Sequence, residues 1–441
     1  MASIGQRIRQ ARLERGMTQQ QLADPDLSKS LISLIENDRI RPSLKTLGKL
    51  AERLGRPVSE FLEPDLATPK DLQVLMALGE GALSRRDYRK AEEWLEAARS
   101  LAEYRREPAV QAKAIVCLAE ARIGLDDVDG AESLLAQAEN LPIRDERLRI
   151  RILYDKANIA LLRAKHREGI AFIHQALAAL DKLPAPEHEL KIRVLLLRGT
   201  LYGQLGRMED ALISYHQALE EAESRRNYTA LGDAYKGLAM VHRLEGSLDM
   251  ALEYALRAKE CFERIEDLTH LMIASRNLGI LLLEKGEPAS AKPYLEHSLR
   301  LAEDLQQDWS RGLTLTELAR CALANGDLAA ARRYAEDALS TVVALNDPAE
   351  RGRVLLVLAE VERAEGNPQD ALRYAQEALG IFQRSDLLPE LTQAQGLMGE
   401  LLLAQGNSQE AAPLLLQAYK GTLSLTATRR LAKRLLDDHV P

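Results

Sequence analysis

The chain has 441 residues, a formal net charge of −7, and 28% charged against only 4% aromatic residues. That length is too great for one compact core, and no run of about 18 apolar residues offers a membrane span. A composition rich in Leu and Ala and poor in aromatics points away from disorder and from β-structure, toward a helical protein. The arginines at 7, 9, 12 and 15 precede no apolar h-region, so a cytoplasmic location is expected. Cys117, Cys261 and Cys321 are odd in number and far apart, which fits neither a disulfide framework nor paired zinc ligands, and they are expected to be reduced core residues. Charge is unevenly shared: residues 1–62 hold 11 Lys+Arg against 7 Asp+Glu, the remainder 48 against 59. A basic head on an acidic body suits a head that meets a polyanion.

In chain order, residues 1–62 read as five short helices. Ile4 to Arg15 ends at Gly16; Thr18 caps a second helix that Pro25 stops; Ser28 caps a third with apolar Leu31, Ile32 and Ile35, ending at Asn37-Asp38. Pro42-Ser43 opens a fourth that carries Leu44, Leu47, Leu50 and Leu54 to Gly55, and Val58 to Leu62 makes a last turn. Residues 63–70, polar and with two prolines, read as a linker.

From 71 to 421 a short phrase recurs, as in Gly246-Ser247-Leu248-Asp249-Met250-Ala251, and the alanines Ala251, Ala291, Ala331, Ala371 and Ala411 are 40 residues apart. A fixed period of this size marks stacked units that cannot bury their apolar faces alone. Each unit reads as helix, turn, helix: glycine takes the positive-φ cap and alanine sits where the helices cross. Ala91, Ala131, Gly169 and Ala211 extend the series to nine units, with longer loops at Pro142, Pro184 and Pro186. Residues 422–441, bearing Arg429, Arg430, Lys433 and Arg434 opposite Leu431 and Leu435, read as a C-terminal capping helix, favoured over a dimer contact.

Leu278-Gly279, Tyr202 three residues after Gly199, and Ala211, Tyr215 and Ala218 resemble the tetratricopeptide (TPR) signature, at a period longer than that family's usual 34. The expected fold is all-α: a five-helix head, then a right-handed α-solenoid of about nine TPR-like hairpins and the capping helix. The head's Ile8, Arg12, Gly16, Thr18-Gln19, Leu22-Ala23, Ser28, Ile32, Ile35-Glu36, Pro42-Ser43-Leu44 and Leu54-Gly55 resemble Xre/Cro-like helix-turn-helix domains. The turn Asp24-Pro25-Asp26-Leu27 departs from that family, being shorter and lacking its glycine. The resemblance implies that the third helix enters the major groove of double-stranded DNA. Lys29, Ser30 and Ser33 would then face base edges and Leu34 a thymine methyl, while Gln19, Ser28, Arg39 and Arg41 position phosphates. It also implies a partly buried ion pair of Arg12 with Glu36. Tight binding by so small a head calls for a homodimer on a two-fold site.

In TPR arrays the first helix of each unit lines the concave face. Alignment on the alanines places Arg151, Tyr154, Asn158, Arg193, Lys236, Arg243, Arg276, Asn277, Arg320 and Arg353 there, with Thr200, Met240, Ile280, Glu360 and Arg363 close by. Such a wall suits a peptide or protein ligand with an acidic group or free C-terminus, although pairing of each arginine with neighbouring carboxylates is the favoured reading residue by residue. Position 192 is Ile, so His188-Glu189 makes no HExxH site, and no phosphate loop, GxSxG elbow or Cys-rich zinc spacing occurs. No enzyme, cofactor or metal is expected. Head plus array resembles the RRNPP-type peptide-pheromone receptors of quorum sensing, which implies a transcription regulator whose repeats sense a peptide and shift dimer geometry. The alternative is a TPR scaffold that recruits a partner protein.

Overall fold

The structure, a computed structural model, describes residues 3–23, 25–61, 69–385 and 387–437, with residues 69 and 424–437 described by backbone alone. The described residues form helices and the turns between them, in two compact units, Met1–Glu187 and His188–Pro441.

The first unit begins with α1 (Ile4–Glu14), α2 (Gln19–Ala23), α3 (Lys29–Glu36) and α4 (Leu44–Leu54), then a 3-10 turn, Val58–Phe61. The expected caps form: Ser28 Oγ accepts the Leu31 N–H and Ser43 Oγ the Thr46 N–H, while Gly16 and Gly55 take φ of 66° and 55°. Asp38 supplies the left-handed residue after α3. Its carboxylate accepts the Gly5 N–H at 3.1 Å and the Ser3 hydroxyl at 2.5 Å, which ties the end of α3 to the start of α1. Ile8, Leu22, Ile32, Ile35, Leu50 and Leu54 are fully buried, each contributing about 1.5–3 kcal/mol of transfer free energy.

Three helical hairpins complete this unit: α5 (Pro69–Ser84) with α6 (Tyr88–Tyr104), α7 (Pro108–Gly124) with α8 (Val128–Glu139), and α9 (Glu146–Leu162) with α10 (His166–Leu180). The second unit has six: α11 (His188–Gln204) with α12 (Met208–Glu223), α13 (Tyr228–Glu245) with α14 (Leu248–Arg264), α15 (Leu268–Glu284) with α16 (Pro288–Asp304), α17 (Asp308–Ala324) with α18 (Leu328–Ala344), α19 (Pro348–Glu365) with α20 (Pro368–Phe382), and α21 (Leu388–Ala404) with α22 (Ser408–Asp437). The described residues thus hold nine hairpins, the number the alanine series predicts.

The recurring residues do what their period implies. Ala251, Ala291, Ala331 and Ala371 are completely buried at the crossings, and a Cβ at Gly279 would lie 2.5 Å from Leu295 Cγ of the paired helix. Gly246, Gly286, Gly326, Gly366 and Gly406 all have φ near 80°. The turn from each hairpin to the next carries no sequence signal of this kind: Arg106, Arg226, Glu266, Gln306 and Asn346 adopt positive φ without being glycine. Loops lengthen where the prolines predict, over 140–145 and 181–187.

One expectation changes, and another falls mostly outside the described residues. The final stretch is no separate capping helix, because α22 runs unbroken from Ser408 to Asp437; the side chains of Arg429, Arg430, Leu431, Lys433, Arg434 and Leu435 lie outside those described. The proposed linker falls largely on residues 62–68, also outside the described residues, but the head beside it is no detached module. Its Val58 and Phe61 share one apolar core with Leu72, Leu75, Met76 and Leu95 of the first hairpin.

Candidate nucleic-acid interface and repeat groove

On α3 the buried residues are Ile32, Ile35 and Glu36, which leaves Lys29, Ser30 and Leu34 exposed and Ser33 half-buried on the opposite side. The helix therefore presents to solvent the four side chains expected to face bases. The Lys29 side chain makes no hydrogen bond or ion pair among the described residues, so its charge is available. Arg39, Ile40 and Arg41 follow on the surface, adding two positive charges around an apolar side chain that is 44% exposed. Ile40 escaped sequence reasoning, although an isoleucine between two arginines in a turn was the available signal.

Behind this face lies the brace. Arg12 and Glu36 are 8% and 4% exposed; Arg12 donates to Glu36 from Nε (2.5 Å) and Nη2 (3.0 Å), and from Nη1 to the Met17 carbonyl (2.7 Å). Burial alone would push the Glu36 carboxyl up, but hydrogen bonds from Arg12 and Gln19 outweigh it and hold the group below its ordinary value. Gln19 donates its amide to Glu36 at 2.8 Å, so this residue, expected on a phosphate, is first of all part of the brace. Ser28 likewise caps α3. The unusual turn after α2 is held by Arg53, which sequence reasoning missed: Nη1 donates to the carbonyls of Leu22 (2.7 Å) and Ala23 (2.8 Å), and Nη2 to Asp26 (3.3 Å). Lys49 also donates to Asp26, at 3.1 Å. Asp24 of that turn lies outside the described residues.

The repeat groove is less basic than its sequence. In the first unit Arg151 pairs with Glu120 at 2.9 Å, with Tyr154 and Asn158 half-buried along the same helix. In the second, Lys236 pairs with Asp233 (2.6 Å), Arg243 with Glu284 (2.9 and 3.0 Å through Nε), Arg320 with Glu317 (2.8 Å), Arg353 with Glu350 (3.0 Å) and Glu390 (2.6 Å), and Arg363 with Glu400 (2.8 Å). Arg193 is half-buried. Each of these paired cations meets an acid about one repeat or one helical turn away, so the wall is largely charge-compensated, at the modest net gain of half-exposed pairs.

Arg276 differs. Its Nη1 is buried without a hydrogen-bond partner among the described residues, and burial pushes its pKa down against the opposing fields of Glu317 and Glu350. The side chain of neighbouring Asn277 makes no hydrogen bond among the described residues and lines a cavity of about 30 Å3 with Met240, Ala255, Ala274 and Ile280. Such a volume holds one water or the tip of one side chain. Burial also pushes Glu317 and Glu360 up, the reverse of an acid free in water. Among the described residues no helix is long and apolar enough to cross a membrane.

A family model described as helix-turn-helix matches residues 8–61, and one described as tetratricopeptide repeat matches 148–224, 230–304 and 350–423, the tetratricopeptide matches alone spanning just over half the chain. The immunity repressor protein of Bacillus phage phi105 is 48% identical over 61 residues, 14% of this chain; the chain spans 42% of that repressor's length. Among solved structures, the apo form of the quorum sensor NprR from B. thuringiensis has a TM-score of 0.62 at 16% identity, covering 80% of this chain and 99% of that one. A Rap protein complexed with competence and sporulation factor gives 0.58 at 16% identity over 82% and 99%. A STAND protein with a tetratricopeptide repeat sensor from Pyrococcus horikoshii gives 0.56 at 15% over 99% and 74%. At these identities the likeness is one of fold.

Proposed function

The chain belongs to the tetratricopeptide-repeat family, and from that premise, with a helix-turn-helix module at its head, we propose that it is a sequence-specific DNA-binding transcriptional regulator whose repeats bind a peptide or protein ligand. The observation that carries the DNA half is the solvent face of α3, where Lys29, Ser30, Ser33 and Leu34 stand together beside Arg39 and Arg41 and in front of a buried brace. Identity to a phage repressor, confined to this head, supports it. One head makes few contacts, so the protein acts as a homodimer on two half-sites about one helical turn (~34 Å) apart.

The ligand half rests on Asn277 and Arg276, polar groups in the groove whose hydrogen-bonding capacity no described residue fills. The shared repeat fold of a quorum sensor and of a Rap protein solved with competence and sporulation factor supports a ligand there. Because most of the other groove cations already have carboxylate partners, an extended peptide held through its backbone fits better than one held by many acidic side chains. Ligand binding would shift the spacing of the two heads and hence operator affinity.

Fluorescence anisotropy of the full-length protein on its own upstream DNA, across a salt series, tests the DNA half. The expected outcome is affinity about a thousandfold above a scrambled duplex and falling steeply with salt. Lys29→Ala should narrow that preference, whereas Arg39→Ala should weaken both duplexes alike and lower the salt slope by about one. Equal binding of both duplexes, unaffected by Lys29→Ala, would refute an operator at that locus; no preferred site in a genome-wide selection would leave the scaffold function in its place.

A further inference from the structure

We propose that Trp94, a residue of the first repeat hairpin outside the helix-turn-helix match, is a positioning residue for operator reading: it seats in a notch on α4 and makes the head and the first hairpin one body. The notch exists because position 48 is glycine. A Cβ there would lie 2.6 Å from Cζ2 of the Trp94 ring, so any other residue would force the indole out. Around the notch, Leu47, Leu50, Ala51 and Leu54 of α4 are buried in the core that continues through Phe61 into Leu75, Leu95 and Ala98 of the hairpin. Lys90, one helical turn before Trp94, approaches Glu52 of α4 at 3.6 Å.

The contact reaches the reading helix through α4. Arg53, on the same helix as Gly48, donates to both closing carbonyls of α2, and with Lys49 it holds Asp26 of the turn that leads into α3. Moving α4 therefore moves the turn that aims α3. Two dimer partners carrying heads so fixed can engage only half-sites at one separation and one rotation about the DNA axis. Heads held by the covalent connection alone would accept many, because each would then act through its effective concentration rather than a set geometry.

This rests on the DNA-binding function proposed above, and its test separates the two. The first arm needs no DNA: in a Trp309→Phe background Trp94 is the sole tryptophan, and its emission in the full-length protein should be blue-shifted and resist acrylamide. Adding Gly48→Val should red-shift it and raise the quenching constant several-fold. Quenching that Gly48→Val leaves unchanged would overturn the seating of Trp94, whatever DNA the protein binds.

The second arm measures affinity for a single half-site and for paired half-sites whose separation is varied through half a helical turn (~5 bp). The wild type should prefer one separation by tenfold or more. Trp94→Ala and Gly48→Val should flatten that profile to within about twofold while single-half-site affinity stays within about twofold, and Trp94→Phe should restore part of the preference. A merely structural role would lower half-site affinity and leave the shape of the profile intact; that result, or a profile equally sharp in both variants, would overturn the inference. No sequence preference in the wild type would instead overturn the DNA-binding function, with the first arm still deciding the docking.

Discussion

Replacing Arg12 with Met should open the head without touching its DNA face. Arg12 supplies two of the three hydrogen bonds that reach the Glu36 carboxylate, the third coming from Gln19, and Glu36 is 4% exposed. The variant leaves that charge buried with one amide donor and also frees the Met17 carbonyl that Arg12 bonds at the mouth of α2. Stranding one partner of a buried pair costs about 3–5 kcal/mol, whereas Arg12→Met with Glu36→Leu, which removes both charges, should return to within about 1–2 kcal/mol of the wild type. Hydrogen exchange of α1 and α3 amides in the full-length chain reads the opening free energy, with α15 of the second unit as internal control. Acid adds a sign that only the buried pair explains. In the wild type the depressed Glu36 carboxyl stabilises the head above the ordinary value near 4.5, a contribution lost as pH falls through the folded value. In Arg12→Met only the Gln19 hydrogen bond and the Arg9 charge still oppose burial, so that pKa should rise and the variant's head should become more stable as pH falls from 7 toward 5. An Arg12→Met cost below about 1 kcal/mol, or a double variant no better than the single, would refute the brace.

Two further predictions concern the repeats. Ala164 holds φ of 55° at a turn where the hairpins of the second unit place glycine, so Ala164→Gly should stabilise by up to about 1 kcal/mol, and Gly326→Ala, at φ of 77°, should destabilise by a similar amount; thermal or urea unfolding decides the pair. Burial pushes the Cys117 thiol up to about 11, with the Arg151 charge only partly opposing it. Native protein at pH 8 should therefore leave Cys117 unmodified by iodoacetamide while urea-unfolded protein reacts fully, and rapid native labelling seen by mass spectrometry would refute its sealed position.

Much of the head could be read locally. Ser28, Ser43, Gly16 and Gly55 mark helix ends through hydrogen bonds and φ values that involve residues only a few positions away. The same holds for the glycine that closes the first helix of the six hairpins of the second unit, whereas Arg86, Asp126 and Ala164 take that place in the first. The turns between hairpins were illegible because Arg106, Glu266 or Gln306 in the left-handed region costs about 1–2 kcal/mol, an amount that packing of the flanking helices offsets without leaving a compositional mark. Groove chemistry was legible only in part: the chain positions named the right helices, yet not which arginines would find acids. Arg243 meets Glu284 and Arg353 meets Glu390 across 41 and 37 residues, while Arg276 is left with a buried nitrogen unfilled.

By itself, then, the sequence determined the helices, the 40-residue stacking unit and the helix-turn-helix head, since these follow from apolar spacing and caps that act within one or two turns of chain. Tertiary structure alone decided that Trp94 seats on Gly48, that Arg53 braces the turn into α3, and that most of the groove's positive charge is already matched. Those contacts join residues far apart in the chain, where partner choice depends on which surfaces burial brings face to face and not on any local periodicity.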